Sequence, residues 1–182
     1  MAETFSDMGV SVFMADVKGD IAGMMKAGTD SEDMQKRIAK FGLAEVGFTY
    51  HGYPVTLWDI YGKKGIQLRT TISEMGPLLL SRILELNDLQ SDILTIVFKI
   101  ADDNKLLLVD KKDLKAILNR INDHRGDFEE QYGKMSTASI SAIIRSVVAL
   151  EVASGDVFFG EPALNISDWF SLGEGGKGMI HI

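Results

Sequence analysis

Apolar and polar positions follow two rhythms along this chain. Val10 to Ala15 form an apolar run broken only by Ser11, the pattern of a strand covered on both faces in a parallel sheet. Before it, "AETFSDMG" reads as the end of a helix with Gly9 as its C-terminal cap. Ser31, followed by Glu32 and Asp33, starts a helix striped by Met34, Ile38 and Phe41 and stopped at Gly42. "PVTLWDI" (54–60) and "IQLRTTI" (66–72) read as strands, separated by the turn-rich "YGKKG".

From Ser73 the period changes. Leu79, Ile83 and Leu86, then Leu89, Ile93, Ile96, Val97 and Ile100, recur at helical spacing and predict a hairpin turning at Asn87-Asp88. Asp110 and Asp113 flank the start of a helix carrying Leu114, Ile117, Leu118 and Ile121. Ser136 caps another, with Ile140, Ile143, Ile144, Val147 and Val148. The tail "GKGMIHI" returns to strand character. The expected organisation is an α/β segment over 1–72, a helical insertion over 73–154, and a return to the α/β layer over 155–182. Both ends are abrupt for a layered domain, which suggests a piece of a longer protein.

Composition narrows the function classes. The chain has 182 residues, 46% apolar and 25% charged, as expected for a globular domain able to bury a core. Its net charge of −7 opposes phosphate backbones unless the bases cluster. No cysteine is present, so disulfides and thiolate metal sites are excluded. Apolar runs are too short to span a bilayer, and the acidic start is no signal peptide. The expectation is a cytoplasmic protein without membrane contact.

Several motifs invite chemistry and fail. "GEGGKG" (173–178) has lysine among glycines, but Ser171 replaces the first P-loop glycine, Gly178 follows the lysine, and a strand comes next instead of a helix. Asp102, Asp103, Asn104, Asp110 and Asp113 do not make a calcium loop, because Leu107 holds the glycine position and leucines replace oxygen ligands. His51, His124 and His181 lack zinc-ligand spacing, and no metal site is expected. No serine or lysine sits in a nucleophile motif.

"VFMADVKGD" (12–20) is more promising. Ligands of parallel α/β sheets bind beyond the carboxyl ends of strands, where Asp16, Lys18 and Asp20 would project. An acid there can orient magnesium-bound or attacking water, and a lysine can face phosphate. The plainer alternative is that Asp16 caps the next turn.

Taken together, "VSVFMADVKGDIAGMMKAGT", "PVTLWDIYGKKG", "TTISEMGPLLLSRILELNDLQSDILTIVFKIADD", "LLLVDKKDLKAIL", "STASISAIIRSVVALE", "FFGEPALNISDWF" and "GKGMIHI" resemble the YjgR-like bacterial branch of the HerA–FtsK P-loop ATPases, in order, over essentially all 182 residues. The resemblance implies an α/β fold: a partial RecA-like P-loop NTPase layer with an α-helical insertion. It implies an ATP-driven, DNA-translocating or helicase-type parent that uses ATP and Mg2+ and assembles as a homo-oligomeric ring, with DNA as a partner. It also implies what is missing, since neither a Walker A loop nor a Walker B acid pair occurs in these residues. Without them the triphosphate and its magnesium lose their main holders, so the chain is not expected to hydrolyse ATP or hold a cofactor tightly by itself.

Asp16, Lys18, Gly19 and Asp20 match the family's D-x-[KH]-G-[DE] signature. By that match Asp16 is a catalytic or magnesium-orienting acid, with Lys18, Gly19 and Asp20 close to the nucleotide. Arg145 is the residue a ring would offer to a neighbouring subunit, against the simpler reading of a surface arginine. The isolated chain is expected to self-associate through an unpaired sheet edge and apolar helix faces. A rival from another class is a non-catalytic module whose helices dock a partner protein.

Overall fold

The computed structural model describes residues 1–154 and 157–182. They divide into two compact units: residues 1–67 with 165–182, and residues 68–164. The boundary expected at 154/155 adjoins Gly155 and Asp156, which lie outside the described residues.

The first unit is α/β. Helix α1 (Ala2–Asp7) leads to strand β1 (Val12–Phe13), a 3-10 turn at Ile21–Met25 and helix α2 (Glu32–Phe41). Strands β2 (Val55–Thr56), β3 (Trp58–Asp59) and β4 (Ile66–Gln67) follow; residues 165–182 add 3-10 turns at Ile166–Trp169 and Glu174–Gly176, then strand β5 (Ile180–His181). The helix ends match their sequence signals. Gly9 takes φ 77° just past α1, and the Ser31 hydroxyl accepts from Met34 N–H at the start of α2.

The main sheet is parallel with order β1–β5–β2, so the last strand is the central one. Its register aligns Phe13, His181 and Thr56 on one face, and Val12, Ile180 and Val55 on the other. "PVTLWDI" is not one continuous strand. It changes partners at Leu57, pairing first with β5 and then, as β3, with β4. The switch depends on Gly65, where a Cβ would lie 2.4 Å from the Leu57 carbonyl oxygen. The expected cover on both faces of Val10–Ala15 is also absent, since Phe13 remains 55% exposed. "IQLRTTI" stops being strand after Gln67 because Thr71 caps the next helix, with Glu74 closing a capping box.

The second unit is helical: α3 (Ile72–Ile83), α4 (Asp88–Asp103), α5 (Lys111–Asp123), α6 (Arg125–Tyr132) and α7 (Thr137–Ser154). Asn87 and Asp110 cap α4 and α5 through capping boxes completed by Gln90 and Asp113, and the Ser136 hydroxyl accepts from Ser139 N–H at α7. Helix α6 was not foreseen; its apolar residues have no helical stripe. Ile93, Val97, Ile100, Leu114, Ile117, Leu118, Ile121, Ile140, Ile143 and Val147 are buried at the expected spacing. The α3 stripe is different, with Leu80 and Leu84 facing the core while Leu79 and Ile83 face outward. The run Leu78-Leu79-Leu80 fits either face, and the break at Gly76 (φ 71°, ψ 166°) before Pro77 resets the rotation. Where the unit begins and ends, Arg69 and Thr70 are bonded to the returning segment: Thr70 N–H to Phe158 O, Gly160 N–H to Thr70 O, and Leu164 N–H to Arg69 O.

Among the described residues the buried apolar core belongs almost wholly to this helical unit; in the α/β unit only Tyr53 and Ile180 reach the same burial. No single helix among the described residues is long and apolar enough to cross a membrane.

Candidate functional site

The carboxyl edge of the parallel sheet is where its topology puts a ligand. Asp16 lies there, three residues beyond Phe13. Its Oδ1 accepts from the N–H of Lys18 (3.1 Å) and Gly19 (2.7 Å), and its Oδ2 from Ile21 N–H (3.0 Å). Gly19 takes φ 76°, which lets the loop fold back onto the carboxylate. The Ile21 N–H, helped by those of Gly19 and Lys18, holds the acid below the usual carboxylate range despite some burial. So solvated, Asp16 is a fixed charge and not a proton carrier near neutral pH. Lys18 and Asp20 are exposed on the same loop.

Asp59 repeats the arrangement. It lies three residues beyond Thr56, the residue in register with His181 and hence with Phe13. Its carboxylate accepts from the N–H groups of Tyr61, Lys63 and Lys64, which lower its pKa, Lys64 most. Gly62 takes φ 63°. Both loops read Asp-x-x-Gly, and the second instance was not singled out in the sequence. The edge therefore carries two acid-centred loops of like design.

Between the strands that feed them lies a ring cluster that the sequence did not signal. His181 is buried, and the indole N–H of Trp58 donates to its Nδ1 at 3.0 Å. That nitrogen must therefore carry a lone pair, and Nε2–H donates to the Trp169 carbonyl at 3.0 Å. Trp169 stacks on Phe13 at 4.6 Å and on His181 at 5.3 Å. His181 lacks zinc-ligand spacing in the sequence, and its place here depends on strand register and on a turn twelve residues upstream.

The amino edge carries a different network. Lys177, from the rejected glycine-rich motif, donates to Asp7 Oδ1 at 2.7 Å and sits 4.5 Å over the Tyr53 ring. The Tyr53 hydroxyl donates to Asp7 Oδ2 at 3.2 Å and receives His51 Nε2–H at 2.7 Å. Burial and then Asp7 push the Tyr53 pKa up to about 12. Beside this chain of contacts is an open cavity of about 500 Å3, lined among others by Glu3, Lys26, Phe48, Tyr50, His51 and Tyr53. Asp7, Tyr53 and Lys177 each precede a strand of the sheet, so the network fastens the end opposite to Asp16.

Arg145 is exposed on α7 in the helical unit. Among the described residues no three acidic or histidine side chains converge as metal ligands.

A family model described as helicase HerA-like C-terminal matches residues 1–182. No curated protein matches the chain, and no solved structure does.

Proposed function

Because the chain belongs to the helicase HerA-like C-terminal family, we propose that it supplies part of the motor layer of an ATP-driven DNA translocase of the YjgR-like branch. The observation that carries this reading is the family match over the whole length, supported by a parallel sheet with an acid-bearing loop at its carboxyl edge. In the working motor, ATP with Mg2+ supplies the driving hydrolysis, and copies assemble in a ring around DNA in the cytoplasm. Asp16 serves as a fixed negative charge that orients magnesium-bound water, with Lys18, Gly19 and Asp20 beside the nucleotide. Arg145 is the arginine offered to a neighbouring subunit.

The residues present do not fit a triphosphate by themselves. The N–H groups of the Asp16 loop are occupied by Asp16, so the loop offers no free anion cradle. The sequence contains no G-x-x-x-x-G-K-[ST]. We expect no ATP turnover from the 182 residues alone. Magnesium-dependent phosphate release, measured on purified wild-type and Asp16→Asn chains, tests this. Turnover by the wild type that disappears in Asp16→Asn would overturn the inactive assignment.

The second reading, a non-catalytic docking module, is favoured by one observation: the helical unit encloses its own core. Capture of a partner by residues 68–164, with no nucleotide effect on it, would select that reading.

A further inference from the structure

The α/β unit buries almost no core, yet several of its rings are braced around the open cavity of about 500 Å3 at the amino edge. Tyr50 donates its hydroxyl to Asp30 Oδ1 at 3.0 Å, and Tyr53 donates to Asp7 Oδ2 at 3.2 Å. The His51 ring is held between Thr49 and the Tyr53 hydroxyl. Phe48 meets Tyr50 edge to face, with ring centres 5.2 Å apart. Gly28 lets the Tyr50 ring lie close to the backbone, since a Cβ there would be 3.1 Å from it. Rings tied down in this way form a wall that costs little further ordering when a ligand arrives. The acids that tie them have perturbed pKa values, as groups at binding sites often do. Gln35 and then Tyr50 hold Asp30 below the usual carboxylate range, and Lys177 does so for Asp7.

The cavity lies wholly within one unit, and its lining divides by chemistry. Phe48, Tyr50 and Met34 supply an apolar part. Glu3 and Lys26 supply charge. Glu3 is near Tyr53, where it adds weakly to the effect of burial and Asp7 in raising the phenol. Lys26 enters beside Gly52, whose Cβ position is 3.3 Å from the Lys26 Cα. Both charged residues are exposed, and neither forms an ion pair or hydrogen bond among the described residues. Asp7, by contrast, already has Lys177 and Tyr53. A simple anion in the cavity would be repelled by Glu3, and a simple cation by Lys26. A ligand carrying both charges beside a ring satisfies the whole lining.

We propose that this cavity binds a free aromatic amino acid, with its ring on Phe48 and Tyr50, its ammonium on Glu3 and its carboxylate on Lys26. Ring-on-ring contact favours the aromatic side chain over an aliphatic one. The volume is within the range of small-molecule sites. The site is at the end of the sheet opposite to Asp16 and does not rest on the ATPase reading.

Isothermal titration calorimetry of the full chain tests it, with L-phenylalanine, phenethylamine, hydrocinnamate and L-alanine as probes. L-phenylalanine binds. Phenethylamine and hydrocinnamate, each lacking one of its charges, bind roughly tenfold more weakly. L-alanine, without the ring, gives no saturable heat. Glu3→Gln weakens L-phenylalanine by roughly tenfold and leaves hydrocinnamate no weaker, because that probe has no ammonium to lose. Lys26→Met weakens L-phenylalanine to a similar extent and leaves phenethylamine no weaker. Losses that follow the matching charge of the probe cannot come from misfolding. The proposal is overturned if L-phenylalanine gives no saturable heat, or if L-alanine binds as tightly. It is equally overturned if either substitution leaves L-phenylalanine binding unchanged, or weakens it and both single-charge probes alike.

Discussion

The Ser6 hydroxyl donates to the Gly178 carbonyl at 2.6 Å, and the Gly178 N–H donates back to the Ser6 carbonyl at 2.7 Å, joining positions 172 residues apart. Ser6 is wholly buried, so this pair closes the α/β unit by tying α1 to the approach of the central strand. Gly178 has no room for a side chain, as a Cβ there would lie 2.1 Å from the Val10 carbonyl oxygen. Ser6→Ala should cost about 1–2 kcal/mol, mostly by leaving a buried carbonyl short of a donor. Gly178→Ala should cost more, about 3 kcal/mol, because backbone must move. Both tryptophans, Trp58 and Trp169, lie in this unit, so urea titration followed by their fluorescence reads the two variants directly.

The adjoining network at the same amino edge predicts a pH profile. Tyr53 is raised from 10.0 to about 12, so its phenolate forms more readily in the unfolded chain. Its contribution to stability is complete below pH 10.0 and is lost as pH rises toward 12. Asp7 has the reverse sign: the Lys177 ammonium, and less so the Tyr53 hydroxyl, hold it below 3.8, and its contribution disappears as pH falls through that lowered value. An ultraviolet titration of the wild type should show a late tyrosinate step near pH 12, absent in Tyr53→Phe. In Lys177→Met the acid-side loss of stability should be smaller, because Asp7 then titrates closer to its unfolded value.

Asp16 and Asp59 make a comparison that separates local structure from chemistry. Each carboxylate gathers three backbone N–H groups over an Asp-x-x-Gly loop. Asp16→Ala should speed amide exchange at Gly19 and Ile21, and Asp59→Ala at Lys63 and Lys64, to similar extents. In an intact motor containing these residues, only the Asp16 change should reduce ATP turnover. Equal losses from both variants would mean that loop order, not the charge of Asp16, is what the motor needs.

The helical unit was legible because a helix carries its own period: the cap residues Asn87, Asp110 and Ser136 and the buried stripes of α4, α5 and α7 are all local signals. Helix α3 was misread only in rotation, since Leu78, Leu79 and Leu80 supply apolar groups on both sides. The Asp16 loop was visible because its four residues are contiguous. The Trp58–His181 bond and the Asp7–Tyr53–Lys177 network were not, because each joins residues from distant parts of the chain through strand register. Strands of two residues have almost no period to read. The same shortness explains why "PVTLWDI" reads as one strand although it changes partners within it.

The uneven core makes the two units respond differently to mutation. The helical unit holds nineteen closely packed buried residues, including Leu118 and Ile143 at 0% exposure, whereas Tyr53 and Ile180 are the matching residues of the α/β unit among those described. Leu118→Ala or Ile143→Ala should therefore cost about 2–5 kcal/mol, the range for a large side chain removed from a packed interior. Because α3 to α7 supply most of the helix, that loss should appear as an earlier urea transition in far-ultraviolet circular dichroism. Tryptophan fluorescence, confined to the α/β unit, should keep its wild-type midpoint. Coincident shifts in both signals would overturn the expectation that the two units respond independently.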